Sequence, residues 1–283
     1  MEASNAAFPW ERVVTRPRAP IMQAYFDDSG GDPKSPIYAI AGYLAIEPNA
    51  GAFSQKWSEV LDGPPRIQYW HTNTARGGYG GKFDAAQMQD REVGLAQLIA
   101  ATSGYVTSLS VELDKSLFDS VVLKRGALNP DPGNLRLSPM VLSVLSNPFY
   151  ILFHHAMLCC WITASRMTGI EGTQIFMEDA DGAEWQDQVC LAARAFRRLA
   201  PLEKTKAIAS VTFAPGKGRI SMPALEAADL WAWHVRRRAT YPEEPVEKWP
   251  ARILLESCKG DRVIVKESLL RDYVAAVNAG ARL

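Results

Sequence analysis

Apolar residues along this chain fall into short continuous runs and into helical stripes, separated by glycine, proline and charged residues. Runs rich in β-branched and aromatic residues predict strands, and apolar residues at three- and four-residue spacing predict helices. Strands are predicted at residues 21–26, 37–46, 105–113, 173–177 and 206–213, and helices at 53–61, 84–101, 147–167, 184–199 and 222–236. This order predicts a mixed α/β architecture in which helices are layered on a sheet.

Two of the predicted helices have clear start signals. Asp84 is a typical N-cap residue, and Asn147 followed by Pro148 combines an N-cap with a proline in the first turn. Gly169 is the predicted stop of the second helix. That helix, at 147–167, is apolar on nearly all sides, so we expect it to be central and buried.

The chain is long enough to bury a full core as one large domain. Residues 1–20 are interrupted by proline and charge, which predicts a loosely attached N-terminal arm. Residues 21–238 are predicted to form the main domain, with an insertion near 114–140. Residues 239–283 are predicted to be a C-terminal extension that packs on this domain and adds one or two peripheral helices.

The charge balance excludes a strong overall attraction to polyanions. Lysine plus arginine and aspartate plus glutamate both number 31, so any nucleic acid must be held by a local patch. The four cysteines show no CxxC pairing, which favours a reducing environment. Because there is no signal-peptide core and no uninterrupted apolar run of about 20 residues, we expect a cytoplasmic protein without a membrane partner.

Acidic residues stand at three predicted core elements. The first strand ends in Asp27 and Asp28, the strand at 173–177 ends in Glu178 and Asp179, and the helix at 222–236 carries Glu226 and Asp229. A carboxylate at the end of a buried strand is costly unless it is hydrogen-bonded, ion-paired or bound to a metal. Hard divalent cations such as Mg²⁺ or Mn²⁺ prefer carboxylate oxygens, so the three sites together predict a metal site.

Each acidic site also has a structural interpretation. The sequence from Asp28 to Pro33 is typical of a polar turn, and Asp179 to Gly182 is typical of a turn that caps a following helix. Asp229 is the stronger candidate on the helix, because an unpaired charge among alanines and tryptophans is hard to justify otherwise. Glu226 lies one turn earlier, as either a fourth ligand or a solvated neighbour.

These motifs resemble a known group of proteins. The run Tyr25-Phe26-Asp27-Asp28-Ser29-Gly30 resembles the first hairpin of the ribonuclease H-like fold, and more specifically the family called domain of unknown function 3800. Its members typically open with Tyr-Ile-Asp-Glu-Ser-Gly. Later family motifs are matched in order by Trp70-His71, by Phe176-Met177-Glu178-Asp179 and by Leu225-Glu226-Ala227-Ala228-Asp229-Leu230. The resemblance covers about residues 21–238.

The resemblance implies a ribonuclease H-like core and a divalent-metal nuclease site with Asp27, Glu178 and Asp229 as metal ligands. The chain departs from the family pattern at three places: Asp28 replaces glutamate, Glu178 and Asp179 are in reversed order, and Glu226 replaces glutamine. Since successive strand residues point to opposite faces, either Glu178 or Asp179 can be the one that faces the site.

Further candidates lie near the acids in sequence. His71 could activate water or contact substrate, although a histidine beside a tryptophan is more often a packed structural residue. It follows a short extended segment and precedes the glycine-rich residues 76–82, which predict a mobile loop. Lys82, Lys217 and Arg219 are predicted to hold a phosphate backbone. The arginines at 236–238 are interpreted as a solvated helix face.

Together these observations favour a divalent-metal-dependent nuclease or phosphodiesterase, a hydrolase that acts on nucleic acid with water as the nucleophile. The catalytic candidates are Asp27, Asp28, Glu178, Asp179, Asp229 and His71. The alternative is a catalytically inactive module of the same fold that binds nucleic acid or protein.

Overall fold

A six-stranded mixed sheet forms the centre of the protein. The computed structural model describes residues 21–102, 106–129, 139–167, 169–170, 172–179, 183–201, 204, 208–215, 222–245, 252–257 and 260–280. The strands are β1 (Met22–Ser29), β2 (Ile37–Ile46), β3 (Val106–Asp114), β4 (Thr173–Asp179), β5 (Ile208–Pro215) and β6 (Asp261–Val265). Their spatial order is β5-β4-β1-β2-β3-β6. The predicted mixed α/β class is confirmed.

The first three strands form an antiparallel meander, since β1 pairs with β2 and β2 with β3 in opposite directions. The other three strands join in parallel: β4 beside β1, β5 beside β4 and β6 beside β3. The carboxyl ends of β1, β4 and β5 therefore lie at the same edge of the sheet. Parallel neighbours need crossover connections, and here these connections contain helices.

Helices cover both faces of the sheet. They are α1 (Glu47–Asp62), α2 (Thr72–Arg76), α3 (Gly78–Gly81), α4 (Ala85–Thr102), α5 (Lys115–Val121), α6 (Pro139–Leu145), α7 (Pro148–Arg166), α8 (Ala183–Leu199), α9 (Pro223–Thr240), α10 (Arg252–Ser257) and α11 (Glu267–Asn278). Side chains of α7 pack with Phe26 and Val111 on one face of the sheet. Side chains of α1 and α9 pack with Tyr25 and Phe176 on the other face.

The predicted helix starts are confirmed. Asn147 accepts a hydrogen bond from the backbone N–H of Phe149 at 2.9 Å, immediately before α7. Asp84 accepts from the N–H of Gln87 at 2.8 Å, and the Gln87 side chain accepts from the N–H of Asp84 at 3.0 Å. This reciprocal pair is a capping box and satisfies two backbone donors before α4. The helix α7 is buried on most sides, as predicted.

Three details differ from the sequence predictions. Strand β1 runs three residues further than predicted, so that Asp27 and Asp28 lie within the strand because its pairing with β2 continues to Ser29. Residues 72–76 form a short helix, and residues 78–81, inside the predicted loop at 76–82, form a tight turn in which Tyr79 and Gly80 have positive φ. The strand β6 was not predicted, because its five residues begin with two charges and depend on pairing with β3. Within the described ranges, no helix combines the length and apolar character needed to span a membrane.

A half-buried ion pair attaches β6 to the sheet. Glu112 of β3 is buried, and its two carboxylate oxygens accept from Nε and Nη2 of Arg262 at 2.6 and 2.8 Å. The hydrogen bond to Glu112 is also the main reason why the pKa of Arg262 is raised. A bidentate pair of this kind fixes orientation as well as adding energy.

Replacing Arg262 with glutamine should lower the free energy of unfolding by about 1–2 kcal/mol, because Glu112 keeps its charge without its cation. The loss stays below that of a fully buried pair, since the Arg262 side chain is 46% exposed. Urea denaturation followed by circular dichroism measures it. Adding Glu112→Gln to the same chain should recover part of the loss; a double variant that is less stable than Arg262→Gln alone would contradict this account.

Candidate functional site

The first carboxylate of the site is at the end of β1. Ala24 and Phe26 belong to the core on the α7 face, whereas Tyr25 belongs to the core on the α9 face. Because side chains alternate along a strand, Asp27 lies on the same face as Tyr25, toward α9. By the same alternation, Asp28 lies on the opposite face of β1. Its Oδ2 lies close to the backbone of Gly31.

The second carboxylate is on the neighbouring strand β4. Phe176 pairs in register with Tyr25, and their rings stack with centroids 4.9 Å apart. Two residues along β4 from Phe176, Glu178 occupies the α9 face, beside Asp27. Asp179 occupies a position of the opposite face, and its side chain lies outside the described part of the structure. Strand alternation therefore places Glu178, and not Asp179, on the face toward α9. The sequence alone left this choice open.

The electrostatics of Asp27 show that several acids lie near one another. Part of the residue is accessible, but the protein encloses its carboxyl group, and this burial is the main reason why the pKa of Asp27 is well above its ordinary value of 3.8. Repulsion from Asp229, Asp28 and Glu178 raises the pKa further, and a hydrogen bond from the Asp28 backbone opposes the rise. The fold therefore brings together four of the acids predicted from the sequence.

The third element of the site is helix α9. Asp229 is partly buried, and its Oδ2 accepts from the backbone N–H of Thr72 at 2.6 Å. Thr72 is the first residue of α2, where backbone N–H groups lack partners within the helix. This hydrogen bond holds the Asp229 carboxylate in place and joins α9 to the segment that carries His71.

Glu226 connects three separate parts of the chain. It is buried, and its Oε2 accepts from the indole Nε1 of Trp57 at 2.8 Å and from the backbone N–H of Trp70 at 2.9 Å. The interpretation of Glu226 as a solvated neighbour is therefore wrong. Its carboxylate links α9, α1 and the residues that precede α2.

His71 caps the helix α2. It is buried, and its Nδ1 lies 3.2 Å from the N–H of Thr74 and 2.7 Å from the Thr74 hydroxyl. Because Nδ1 accepts from the Thr74 backbone, the proton of the neutral ring is assigned to Nε2. His71 thus has the packed, hydrogen-bonded role expected of a structural histidine, and its Nε2–H is a donor.

The glycine-rich segment lies beside the acids. Tyr79, at a positive φ of 49°, donates from its hydroxyl to the carbonyl of Tyr69 at 2.6 Å. Burial raises the pKa of Tyr79, and the charges of Glu226 and Asp229 add to this rise, so the tyrosine lies within their range. Lys82 follows α3 directly and is exposed. The other predicted phosphate contacts, at 217 and 219, lie outside the described residues.

A second group of charged residues, which includes His234 of α9, contains both acidic and basic side chains. His234 Nε2 lies 2.6 Å from Oε1 of the buried Glu92, and Arg76 lies 3.4 Å from the same oxygen. The Arg76 guanidinium also stacks on Trp233, 3.6 Å from the ring centroid. This group contains its own counter-charges, whereas the charged side chains that act most strongly on Asp27 are three acids.

One residue near the acids was misinterpreted from the sequence. Arg236 was expected on a solvated helix face, but its Nε is buried against the turn at Gly30. The signal was present in the spacing: Arg236 follows Asp229 by seven residues, which is nearly two helical turns and places both on the same side of α9.

The chemistry of the donors fits a hard divalent cation, which prefers carboxylate oxygens. Their present arrangement does not yet form a closed site: among the described His, Cys, Asp and Glu side chains, no group of three has the geometry to hold a metal ion. Asp229 is turned toward Thr72. Shared ligation by Asp27, Glu178 and Asp229 therefore requires their carboxylates to move closer together than they are in this structure.

Fold and site together define a mixed α/β protein whose sheet carries acids from two adjacent strands facing a helix that carries Asp229. No protein-family model matches the chain, and no curated protein has a significantly similar sequence.

Proposed function

We propose that this protein is a divalent-metal-dependent nuclease or phosphodiesterase that hydrolyses phosphodiester bonds in nucleic acid. The observation that carries the proposal is the convergence of Asp27 and Glu178, on one face of adjacent strands, with Asp229 of α9, whose charges raise the pKa of Asp27. Like charges at close range are unfavourable without a counter-charge. Mg²⁺ or Mn²⁺ would remove this repulsion and suits the oxygen donors.

The strand arrangement supports a ribonuclease H-like core as part of the proposal. An antiparallel β1-β2-β3 meander with β4 and β5 added in parallel beside β1 is the arrangement expected of that fold. It places the ends of β1 and β4 next to each other. On the face toward α9, β1 supplies Asp27 and β4 supplies Glu178. Strand β6 would then be an addition at the β3 edge.

The roles of the residues follow from their positions. Asp27, Glu178 and Asp229 would hold the ion, and Asp28 would add negative charge beside them. A bound divalent ion would lower the pKa of a water molecule and stabilise the leaving oxygen. Asp229 can keep its hydrogen bond to Thr72 through one oxygen and offer the other. His71 would hold α2 in place, and with it the Thr72 N–H that meets Asp229. Lys82, Lys217 and Arg219 would contact neighbouring phosphates.

One observation favours the alternative, a catalytically inactive module of the same fold. Glu226 and Asp229 both accept hydrogen bonds from backbone or indole N–H groups, as structural carboxylates do. In that case the acids would organise α2 and α9 and would not bind an ion. Metal binding separates the two functions.

Asp229→Asn tests the proposal. We expect the wild-type chain to bind Mn²⁺ in calorimetric titration and to cleave labelled single- or double-stranded DNA or RNA, with EDTA abolishing cleavage. Asparagine keeps an oxygen that can accept from Thr72 but removes the charge of a proposed direct ligand, so cleavage should fall at least about 100-fold. Asp119→Asn, at an exposed position of α5, is the matched control. Failure of the wild-type chain to bind Mn²⁺, or unchanged binding and cleavage in Asp229→Asn, would contradict the proposal.

A further inference from the structure

Arg236 has an unusual environment for a surface arginine. Its side chain packs against the turn that follows β1, where Gly30 has a φ of +91°. A Cβ on Gly30 would lie 2.8 Å from Cδ of Arg236 and 2.1 Å from the Ile37 carbonyl oxygen. Only glycine leaves room for the arginine at this turn.

The Nε of Arg236 is buried and has no hydrogen-bond acceptor among the described residues. The ion pairs that these residues form do not include Arg236 either. A buried donor on a charged group is costly unless an acceptor meets it. Arg236 as a whole is only partly buried, so its side chain is not sealed from solvent and an anion can approach it.

The two following arginines differ from Arg236. Arg237 donates from Nε to Glu244 at 3.0 Å, so its charge is already paired. Arg238 lines a cavity of about 160 Å³ together with the Glu112–Arg262 ion pair, at the β3–β6 end of the sheet. Three consecutive residues of α9 therefore point to three different environments, and only Arg236 lies at the turn after β1.

The position of Arg236 relative to the acids follows from two elements. Seven helical residues separate it from Asp229, which corresponds to about 10 Å along α9. Three extended residues separate Gly30 from Asp27, which also corresponds to about 10 Å. Helix and strand thus run side by side from the acids to the arginine.

We propose that Arg236 binds a phosphate of a nucleic-acid strand a few nucleotides from the phosphate that is cleaved. This inference rests on the proposed function and narrows the substrate class to a polynucleotide. A strand carries one phosphate per about 3.4 Å of helix axis, so a span of about 10 Å covers roughly three phosphates. The planar guanidinium matches phosphate oxygens geometrically, as a lysine ammonium does not.

The test compares Arg236→Gln with Arg238→Gln on two substrates. One is a fluorescently labelled oligonucleotide, and the other is bis(p-nitrophenyl) phosphate, a diester with a single phosphate. Arg236→Gln should lower kcat/KM for the oligonucleotide about tenfold, mainly through KM, and leave the small diester unchanged. Arg238→Gln should leave both unchanged. Arg236→Lys should recover part of the loss, because it restores the charge without the planar donors.

Binding of the same oligonucleotide in Ca²⁺, measured by fluorescence anisotropy at several salt concentrations, tests the contact without turnover. The slope of log K against log salt should become shallower by about 0.7–0.9 in Arg236→Gln. Three results would overturn the inference: equal losses on both substrates, equal effects of the two arginine variants, or no oligonucleotide binding by the wild-type chain. If the wild-type chain hydrolyses neither substrate but Arg236→Gln still weakens binding, the proposed hydrolysis fails and the phosphate contact stands.

Discussion

Replacing Asp27 with asparagine should abolish metal-dependent cleavage and at the same time make the folded protein more stable. Asparagine has nearly the same shape but no charge, so it cannot ligate a divalent ion as a carboxylate does. Loss of a direct ligand should lower kcat at least about 100-fold, since even residues that only support ligands contribute 10–100-fold. The melting temperature at neutral pH should rise, because the variant removes the repulsion from Asp229, Asp28 and Glu178.

The gain in stability should depend on pH in a defined direction. The pKa of Asp27 is raised on folding, so its contribution favours the folded state below the ordinary value of 3.8 and is lost as the pH rises through the folded pKa. The difference in melting temperature between Asp27→Asn and the wild-type chain should therefore be small near pH 3.5 and largest at neutral pH. Differential scanning calorimetry at the two pH values measures it.

Asp119→Asn is the control for Asp27→Asn, because Asp119 is exposed on α5 and should change neither stability nor cleavage. Added Mg²⁺ should raise the melting temperature of the wild-type chain more than that of Asp27→Asn, since binding to the folded state stabilises it. Full cleavage by Asp27→Asn, or a melting-temperature difference that does not change with pH, would refute the assigned role.

Glu226→Leu should have the opposite effect on stability, although Glu226 lies only one helical turn from Asp229. Leucine removes the acceptor for two buried donors, the Trp57 indole N–H and the Trp70 backbone N–H. Each buried donor left without an acceptor costs about 1–3 kcal/mol, so the free energy of unfolding should fall by about 4 kcal/mol. Guanidinium denaturation followed by tryptophan fluorescence measures this loss.

Glu226→Gln is the matched variant for this prediction. Its side-chain oxygen can still accept from one or both donors, so the loss should be about 1 kcal/mol. Cleavage should also fall in Glu226→Leu, because the Trp70 backbone positions His71 and Thr72 beside Asp229. Equal stability of the leucine and glutamine variants would show that the acceptor oxygen is not what holds these segments together.

The sequence predicted the parts of the fold that depend on local patterns. The central helix α7 was predicted because Asn147 and Pro148 mark its start and its apolar residues need no distant partner to be recognised. The strand β6 was missed because its β-branched run covers only residues 263–265, which is shorter than a typical strand signal, and follows two charged residues. Arg262 of β6 is held against the sheet by its ion pair with Glu112, which lies 150 residues earlier in the chain.

The candidate site shows the same division. The acids themselves were visible in the sequence, because a carboxylate next to an apolar run is unusual wherever it occurs. The orientations of these acids could not be predicted from the sequence, because the choice between Glu178 and Asp179 depends on the register of β4 against β1. The role of Glu226 depends on Trp57, 169 residues away, and that of Arg236 on the turn at Gly30.

Helix α9 carries Glu226, Asp229 and Arg236 on a single rigid element, and this constrains how the chain can change over evolution. Inserting one residue between Asp229 and Arg236 would rotate everything after it by about 100° and shift it by about 1.5 Å. The arginine would then leave the Gly30 turn while the acids kept their places. Point substitutions on the outer side of this segment leave the spacing intact, whereas length changes destroy it. Insertions and deletions in related chains should therefore fall outside residues 226–236.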